Sequence, residues 1–572
     1  MKTENKKACR LFWQLFRDCW NSEEKWHFRG LFFLVIAFHI AMTYIAVLLN
    51  AWYGDFFNML QQYDEAAFLP ILSRFAVLAV IYMLIFAYTT YAQQRLQIKW
   101  RIWMTNGYLQ NWMKRQVYYR MKVLGSDTDN PDQRISEDIN LFAELTLQLF
   151  MGFCSQFMIL VSFGSVLWNL SPVLLVPLGS LSFEIYGYMF WATAFYAVIG
   201  TYVGHLVGRR LISLNFEQQR FEADFRFGMM RARENSESIA FYGGEQPEMV
   251  GFKMHFAKVI RNYWGLMKRT KLMNTYMNAY GQIGIIFPIF LILPQYLSGV
   301  IQLGVFMQAL SAFSREGTAL AYFVNAYTDI ARLASVTQRL SSFTMHVEEV
   351  RALESDVAHR VSAENALVLD KMEVQLPNGR SLLQDCSLSL PQGSSTLITG
   401  GSGCGKSTLL RMIAGLWPFG HGTVKLPEGS RVLFLPQRPY LPLGSLRNAI
   451  CYPLSAEGED AHLRQLLSLV GMEKLADRLD EVDDWSRILS LGEQQRIAFL
   501  RVLLVRPQWV FLDESTSALD ETWERTMYEL LRRELSDMSI VSVGHRSSLF
   551  AQHKIQLQLL GDGSWKLQPI SV

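Results

Sequence analysis

The sequence predicts an α-helical membrane domain of six spans, residues 1–345, fused to an α/β domain with a phosphate loop, residues 364–572. Apolar runs of about 20 residues, the length with which a helix crosses the hydrocarbon layer, recur six times in the first part. A complete G-x-x-x-x-G-K-S pattern lies at Gly400–Ser407 in the second part, where strand-like and helical segments alternate. The charged stretch 346–363 lies between the two parts, and we expect it to be a linker.

The predicted spans contain few ionisable residues. Their approximate bounds are residues 30–49, 71–91, 145–170, 186–206, 280–300 and 305–327. The only Asp, Glu, Lys or Arg residues in them are Arg74 in the second span and Arg315 and Glu316 in the sixth. A charge at the centre of a span costs about 2.5–3.5 kcal/mol on insertion scales. These three residues therefore either line a wet translocation cavity or form structural ion pairs between helices.

The distribution of Lys and Arg predicts the orientation of the spans. Segments 51–70, 171–185 and 301–304 contain none, whereas segments 92–141 and 207–279 contain 8 and 12. Basic loops remain in the cytoplasm, so we expect the N-terminus and the α/β domain there too. The two basic loops are long enough for the helices to continue beyond the bilayer. The aromatic and basic stretch 11–28 predicts an interfacial helix, with a partly disordered tail as the alternative.

The overall charge argues against a nucleic-acid partner. The formal net charge is only +3, and the basic residues are interspersed with acidic ones instead of forming a stripe. The six cysteines show no C-x-x-C metal spacing, so we expect them to be reduced thiols.

The phosphate loop supplies the first candidate site. Its glycines free the backbone, so that successive N–H groups can surround phosphates, and Lys406 can reach the β- and γ-phosphates. The Ser407 hydroxyl is suited to Mg²⁺. We expect the nucleotide-binding residues to be Gly400, Gly401, Ser402, Gly403, Cys404, Gly405, Lys406, Ser407 and Thr408.

Three predicted buried strands deliver further polar residues. Strand 395–399 leads into the phosphate loop, and helix 406–416 follows it. Strand 508–512 ends at Asp513, suited to Mg²⁺, and Glu514, suited to polarising the attacking water. Strand 539–543 ends near His545, which is placed to contact a γ-phosphate.

These residues resemble the ATP-binding cassette transporters, which have seven such elements in this order. Leu489–Glu493 (L-S-L-G-E) is similar to the family signature L-S-G-G-Q, and Ser517–Asp520 to the D-loop. Gln437 resembles the Q-loop glutamine, and His545 the switch histidine. The resemblance implies that Ser490, Gly492 and Asp520 contact nucleotide, that Ser407, Gln437 and Asp513 hold Mg²⁺, and that Glu514, His545 and Gln437 are catalytic.

The chain departs from the family pattern in two places. Leu491 and Glu493 replace a glycine and a glutamine of the signature, while Ser490 and Gly492 remain. In addition, no aromatic residue suited to stacking on adenine occurs in 373–377. How adenine is held is therefore left open.

Motifs in the first half narrow the branch. Segments 130–139, 222–227 and 233–245 resemble cytoplasmic loop motifs of bacterial SbmA/BacA-like transporters that carry a fused ATPase. The last of them is shared with the peroxisomal fatty-acyl-CoA half-transporters. The stretch 52–58, W-x-x-D-F-F-N in pattern, favours the bacterial branch.

The resemblance implies an ATP-driven transporter with an exporter-type helical plan in a bacterial inner (cytoplasmic) membrane. One chain is half of such a transporter, so a homodimer is expected, with ATP and Mg²⁺ as cofactors. The implied cargo is peptides, including antimicrobial ones, or other bulky hydrophilic compounds such as cobalamin, taken up into the cell. The alternatives are an exporter, a transporter of fatty-acyl or lipidic substrates, and an ATP-gated channel or regulatory scaffold.

Overall fold

The computed structural model describes residues 13–15, 17–21, 25–124, 130–171, 173–178, 181–322, 326–352, 356–455 and 460–570. The chain divides into two compact units. The helical unit comprises Met1–Gln110 and Asp129–Thr344, and the α/β unit comprises Asn111–Thr128 and Met345–Val572.

Long helices dominate the first 352 residues. Their bounds are α1, Lys25–Gln62; α2, Phe68–Met113; α3, Val117–Val123; α4, Pro131–Leu170, with a π-helical turn at Arg134–Asp138; α5, Tyr188–Glu234; α6, Ser236–Tyr242; α7, Glu245–Leu297; α8, Leu303–Leu320; and α9, Tyr327–Ala352. A short hairpin of β1, Leu174–Leu178, and β2, Leu181–Ile185, precedes α5.

Five helical stretches in the described part of the chain are long and apolar enough to cross a membrane. They are Lys25–Gln62, Phe68–Val123, Pro131–Leu170, Tyr188–Glu234 and Glu245–Leu297. These stretches contain almost all residues of the first five predicted spans. The 47 residues of α5 correspond to about 70 Å of helix, more than a bilayer requires. The expectation that the helices continue beyond the hydrocarbon layer is therefore confirmed by their length.

The sixth predicted span, 305–327, differs from the structure. The helix there, α8, has 18 residues and ends at Leu320, and it is not among the five apolar stretches. Arg315 and Glu316 lie within it and lower its mean hydropathy. The count of six spans therefore stays a prediction.

The helical unit packs around apolar and small side chains. Its core is formed by Ala46, Phe163, Leu167, Tyr188, Met189, Ile292, Phe306, Ala309, Ala312 and Phe313. Helices α5 and α7 approach closely at Gly200, where a side chain would collide with the ring of Tyr280. That ring stacks on Tyr196 with centroids 4.4 Å apart. A small residue facing a ring is a common way for membrane helices to pack closely.

The α/β unit contains two main sheets. The strands are β3, Val357–Ser362; β4, Ala366–Gln375; β5, Ser381–Pro391; β6, Ser395–Gly400; β7, Gly420–Pro427; β8, Val432–Leu435; β9, Gly444–Ser445; β10, Val482–Asp483; β11, Trp509–Asp513; β12, Ser539–Val543; β13, Ile555–Leu559; and β14, Trp565–Pro569. The six-stranded sheet has the order β14-β13-β6-β12-β11-β8, in which β14 alone pairs antiparallel. The four-stranded sheet has the order β3-β7-β4-β5.

Helices cover both faces of the six-stranded sheet. They are α10, Lys406–Ile413; α11, Leu446–Cys451; α12, Asp460–Leu469; α13, Trp485–Ile488; α14, Leu491–Val505; and α15, Glu521–Glu534. Alternate residues of β11 enter different cores: Val510 and Leu512 pack in one, and Trp509 and Phe511 in the other. A strand buried on both faces reads as a continuous apolar run, which explains why the sequence predicts it well.

The predicted elements of this unit are confirmed with small shifts. Strands β6, β11 and β12 match the three predicted strands to within one residue at each end. Helix α10 ends at Ile413, three residues before the predicted end, because the chain turns at Ala414–Leu416. The predicted linker 346–363 is largely regular structure, since α9 continues to Ala352 and β3 covers Val357–Ser362.

The domain boundary also differs from the sequence prediction. Residues 111–128, placed by the sequence in the membrane domain, cluster with the α/β unit. Within this segment, Val117 and Met121 of α3 are buried, and Val123 packs against the core that includes Trp509 and Phe511. The first basic loop therefore supplies part of the second unit.

Candidate functional site

The phosphate loop connects β6 to α10 at the carboxyl edge of the six-stranded sheet. Gly400 has a φ of 149°, and a side chain there would collide with the carbonyl oxygen of Leu559. Only glycine fits such a position. The neighbouring strands β12 and β11 run parallel to β6, so that their carboxyl ends lie at the same edge. This topology gathers the predicted site residues from distant parts of the sequence.

Lys406 lies across the loop that precedes it. Its side chain is buried, and Nζ donates hydrogen bonds of 2.9 Å to the carbonyl oxygens of both Gly400 and Gly401. The ammonium group is therefore held over the loop by two neutral acceptors. Phosphate oxygens are stronger acceptors for an ammonium group, because they carry charge.

Ser407 and Asp513 form a pair of oxygen ligands. The hydroxyl of Ser407 donates a 2.7 Å hydrogen bond to Oδ1 of Asp513. Mg²⁺ prefers such hard oxygen donors and keeps several waters besides one or two protein ligands. The residues present thus fit a Mg²⁺ ion that is shared with the phosphates of a nucleotide.

Glu514 lies between the other two predicted catalytic residues. Its Oε2 accepts a 3.0 Å hydrogen bond from Nε2 of Gln437, and its Oε1 lies 3.7 Å from Nε2 of His545. The backbone of Glu514 is left-handed, with a φ of 48°, and its N–H donates to the carbonyl oxygen of Val543. Such strain in a non-glycine residue is concentrated at functional sites. The structure thus brings three predicted catalytic residues together beside Asp513.

The signature residues have a different environment. Ser490 caps α14: its Oγ accepts from the N–H of Glu493 at 3.4 Å, and the Glu493 carboxylate accepts from the backbone N–H of Ser490 at 2.9 Å and from its hydroxyl at 2.8 Å. The hydrogen bond from Ser490 holds the pKa of Glu493 below its usual value. This capping box fixes the start of the helix.

Gly492 and Asp520 contribute to the same part of the unit. A side chain at Gly492 would lie 3.0 Å from the carbonyl oxygen of Ala518, so that the D-loop backbone lies directly against α14. The Asp520 carboxylate accepts a 2.8 Å hydrogen bond from the N–H of Trp523 and caps α15. These contacts of Ser490, Gly492 and Asp520 therefore lie outside the phosphate loop.

Two residues near the site carry no recognisable sequence signal. Arg546 donates to the carbonyl oxygens of Ser517 and Leu519, at 2.7 and 2.6 Å, and thereby holds the D-loop. Gln495 is fully buried and hydrogen-bonded to two loops of the site. Neither could be selected from the sequence, because an isolated Arg or Gln usually has no special role.

The segment 373–377, in which the sequence contains no aromatic residue to stack on adenine, includes the end of strand β4. An aromatic residue does reach this strand from elsewhere, since Nε1 of Trp417 donates a 2.8 Å hydrogen bond to the carbonyl oxygen of Gln375. Trp417 is buried in the core, so its ring is not a free platform.

The chain is similar to known proteins along most of its length. The family of the ABC transporter transmembrane region 2 matches residues 15–297, and the ABC transporter family matches residues 383–517. An uncharacterised ABC transporter ATP-binding protein of Haemophilus influenzae is 36% identical, over 94% of this chain and 90% of that protein. The inner membrane ABC transporter ATP-binding protein YddA of Escherichia coli is 33% identical over 91% and 92%. The human lysosomal cobalamin transporter ABCD4 is 28% identical over 97% and 94%.

Proposed function

Because the chain belongs to the ABC transporter family and joins that family's membrane region to its ATPase domain, we propose that it is a homodimeric importer of bulky hydrophilic compounds. It is an ATPase coupled to membrane transport. The observation that carries the mechanism is the convergence of Gln437, Glu514 and His545 beside the Ser407–Asp513 pair at one edge of the sheet.

ATP binds between two chains in this proposal. The phosphate loop of one chain faces Ser490 and Gly492 of its partner, and each dimer has two such sites related by twofold symmetry. The contacts of Ser490 and Gly492 within one chain support this arrangement, since the contacts described above are with Glu493 and Ala518 and none is with a residue of the phosphate loop. A helix N-terminus is well suited to a phosphate group.

Hydrolysis follows from the positions of the remaining side chains. Ser407, Asp513 and Gln437 would hold Mg²⁺, which would supply charge neutralisation at the β- and γ-phosphates. Glu514 orients the attacking water and accepts its proton. His545, 3.7 Å from Glu514, contacts the γ-phosphate and keeps the carboxylate aligned.

The basic loops transmit closure of the ATPase dimer to the membrane helices. The first loop is already part of the α/β unit through α3. The tip of the second loop, at α6, presents Phe241 and Tyr242 with exposures of 82% and 88%. We infer that these two rings dock on the partner chain. Alternating access then results because ATP favours the closed dimer and hydrolysis removes that preference.

Cargo and direction are proposed from similarity. One relative is a lysosomal cobalamin transporter, and this supports a large polar cargo. Another relative is an inner membrane protein of a bacterium, and this supports a bacterial inner-membrane location with the ATPase in the cytoplasm. The test is uptake of labelled peptide, cobalamin and acyl-CoA into right-side-out and inside-out vesicles. Import requires ATP-dependent accumulation of peptide or cobalamin in right-side-out vesicles. Transport in the opposite sense, or of acyl-CoA alone, contradicts the proposal.

The catalytic assignment has its own test in the Glu514→Gln variant. We expect ATP hydrolysis to fall by at least ~100-fold, because the amide cannot accept the proton of the water. ATP-induced closure of the dimer, measured by crosslinking or by distance labels, should persist. Normal turnover in Glu514→Gln would exclude the role given to this carboxylate.

A further inference from the structure

The side chain of Gln495 lies at a junction of three functional segments. It is on α14, five residues after Ser490, and its exposure is 0%. A buried amide must satisfy its donors and its acceptor within the protein, or it destabilises the fold. The partners of this amide therefore determine what the residue does.

Gln495 makes one hydrogen bond to the Q-loop and two to the D-loop. Its Nε2 donates to the main-chain carbonyl oxygen of Gln437 at 3.0 Å and to Oγ of Ser517 at 3.3 Å. Its Oε1 accepts from the N–H of Ala518 at 3.0 Å. One amide thus fixes both loops to the helix that begins at the signature.

These contacts are one step from the reacting groups. The main-chain carbonyl of Gln437 accepts the hydrogen bond from Gln495, and the side-chain amide of Gln437 donates a 3.0 Å hydrogen bond to Glu514. Ala518 donates its N–H to Gln495, and its carbonyl oxygen lies against Gly492. A shift of Gln495 therefore displaces the side chain that aligns Glu514 and the loop that packs on the signature.

We propose that Gln495 is a positioning residue for ATP hydrolysis, which places Gln437 against Glu514 without contacting the nucleotide. This inference rests on the proposed function of Glu514. It implies that the signature helix α14 and the Q-loop move as one body. The signature helix contacts the nucleotide bound by the partner chain, and the Q-loop contacts the nucleotide bound by its own chain. Binding of ATP at one site is thereby transmitted to hydrolysis at the other.

The test uses the full-length protein in lipid nanodiscs and the near-isosteric Gln495→Met variant. Misplacement of a reacting group by about 1 Å costs about 10²-fold in rate, so we expect kcat to fall by roughly 10–100-fold. The KM for ATP should change by less than ~3-fold, because the phosphate loop is untouched. A second variant, Gln495→Glu, keeps the acceptor for Ala518 and loses the donor to Gln437, and should show the same loss of kcat.

A matched control separates positioning from fold stability. Tyr528→Phe removes a buried hydrogen bond to Ser542 elsewhere in the α/β unit, without touching either loop. It should lower the thermal midpoint and leave kcat per folded molecule unchanged. If Gln495→Met behaves like Tyr528→Phe, the proposal is wrong.

A double-mutant cycle with Gln437→Ala identifies the route. If Gln495 acts through Gln437, Gln495→Met should reduce the residual turnover of Gln437→Ala by less than ~3-fold, since effects of residues that act as a unit are not additive. Fully additive losses would overturn the inference. The Glu514→Gln variant distinguishes failure of the proposed function from failure of this inference. Normal ATP turnover in Glu514→Gln would contradict the proposed function. If turnover is lost in Glu514→Gln but stays normal in Gln495→Met, only the role of Gln495 is wrong.

Discussion

At Glu493 a carboxylate occupies the N-terminus of the helix that we expect to face the partner's γ-phosphate. It accepts hydrogen bonds from both the N–H and the hydroxyl of Ser490, and this contact lowers its pKa, so it is ionised at neutral pH. An anion there stabilises the free helix and repels an incoming phosphate.

We therefore expect Glu493→Gln to bind ATP more tightly. The KM for ATP should fall by about 3–10-fold, an effect of the size that a charge at a helix terminus produces. The thermal midpoint should fall slightly, because the capping box loses its charge. The difference in KM should shrink at high ionic strength, where the repulsion is screened. An unchanged KM at low salt would contradict this interpretation.

His553 predicts how acid affects the α/β unit. Its ring is buried and hydrogen-bonded to the carbonyl oxygen of Leu549 and to Ser542, and burial lowers its pKa to about 4. The unfolded chain binds a proton near pH 6.5, whereas the folded chain does not until about pH 4. Stability is therefore lost as the pH falls from 6.5 to 4, by up to about 3 kcal/mol.

Unfolding measured by intrinsic fluorescence across this pH range checks the prediction. In His553→Gln the free energy of unfolding should be lower at pH 7 and should depend less on pH between pH 6.5 and 4. An equally steep decline in that variant would assign the acid sensitivity to other groups.

At the scale of elements, α8 contains a buried carboxyl group that its surroundings do not explain. Glu316 has an exposure of 0%, and among the described residues neither of its oxygens has a hydrogen-bond partner. The guanidinium of the adjacent Arg315 lies 5.3 Å from the ring centroid of Phe163. By contrast, Arg74 forms a 2.9 Å ion pair with Asp55 of α1, which fits the structural alternative.

We expect Glu316→Met to stabilise the fold and to impair transport. An unsatisfied buried polar group costs about 1–3 kcal/mol in protein mutational data, and a methionine of similar length has no polar oxygen to leave unsatisfied. Residues retained against stability usually serve function. Thermal midpoints in nanodiscs and uptake assays measure the two effects, with Arg315→Ala as the comparison. Normal uptake in both variants would remove the role in the translocation cavity.

The elements show what the sequence can predict. Strands β6, β11 and β12 are buried on both faces, so each reads as a short apolar run that local sequence reveals. Because the carboxyl ends of these parallel strands lie at one edge of the sheet, Lys406, Asp513 and His545, which follow them, are expected to lie close together. Strand β3 is largely exposed and α3 is stabilised by tertiary contacts, so the sequence predicts a linker and a loop there. Gln495 and Arg546 were missed for the same reason: their roles depend on partners distant in sequence.

At the scale of the whole molecule, the composite site predicts how mixed dimers behave. Homodimers of Lys406→Ala lack a phosphate-loop cation, and homodimers of Ser490→Arg lack a usable signature, so neither should hydrolyse ATP. A dimer with one chain of each kind places both defects in the same site and leaves the other intact. It should retain up to about half of the parental turnover, because one of the two composite sites is complete, and coupling between the sites lowers the value further. Separately tagged chains, purified sequentially, allow this measurement. Normal hydrolysis by either homodimer would refute the cross-subunit site.

The inclusion of residues 111–128 in the α/β unit has a consequence for biosynthesis. Residues 129–344 separate this segment from the rest of its unit. At about 5–20 residues per second, a ribosome needs about 10–40 s to translate them. During that interval Val117 and Met121, which are buried in the folded unit, have no core to enter, because residues 345–572 have not yet been synthesised. The α/β unit therefore cannot complete its folding before the helices between residues 129 and 344 have been synthesised.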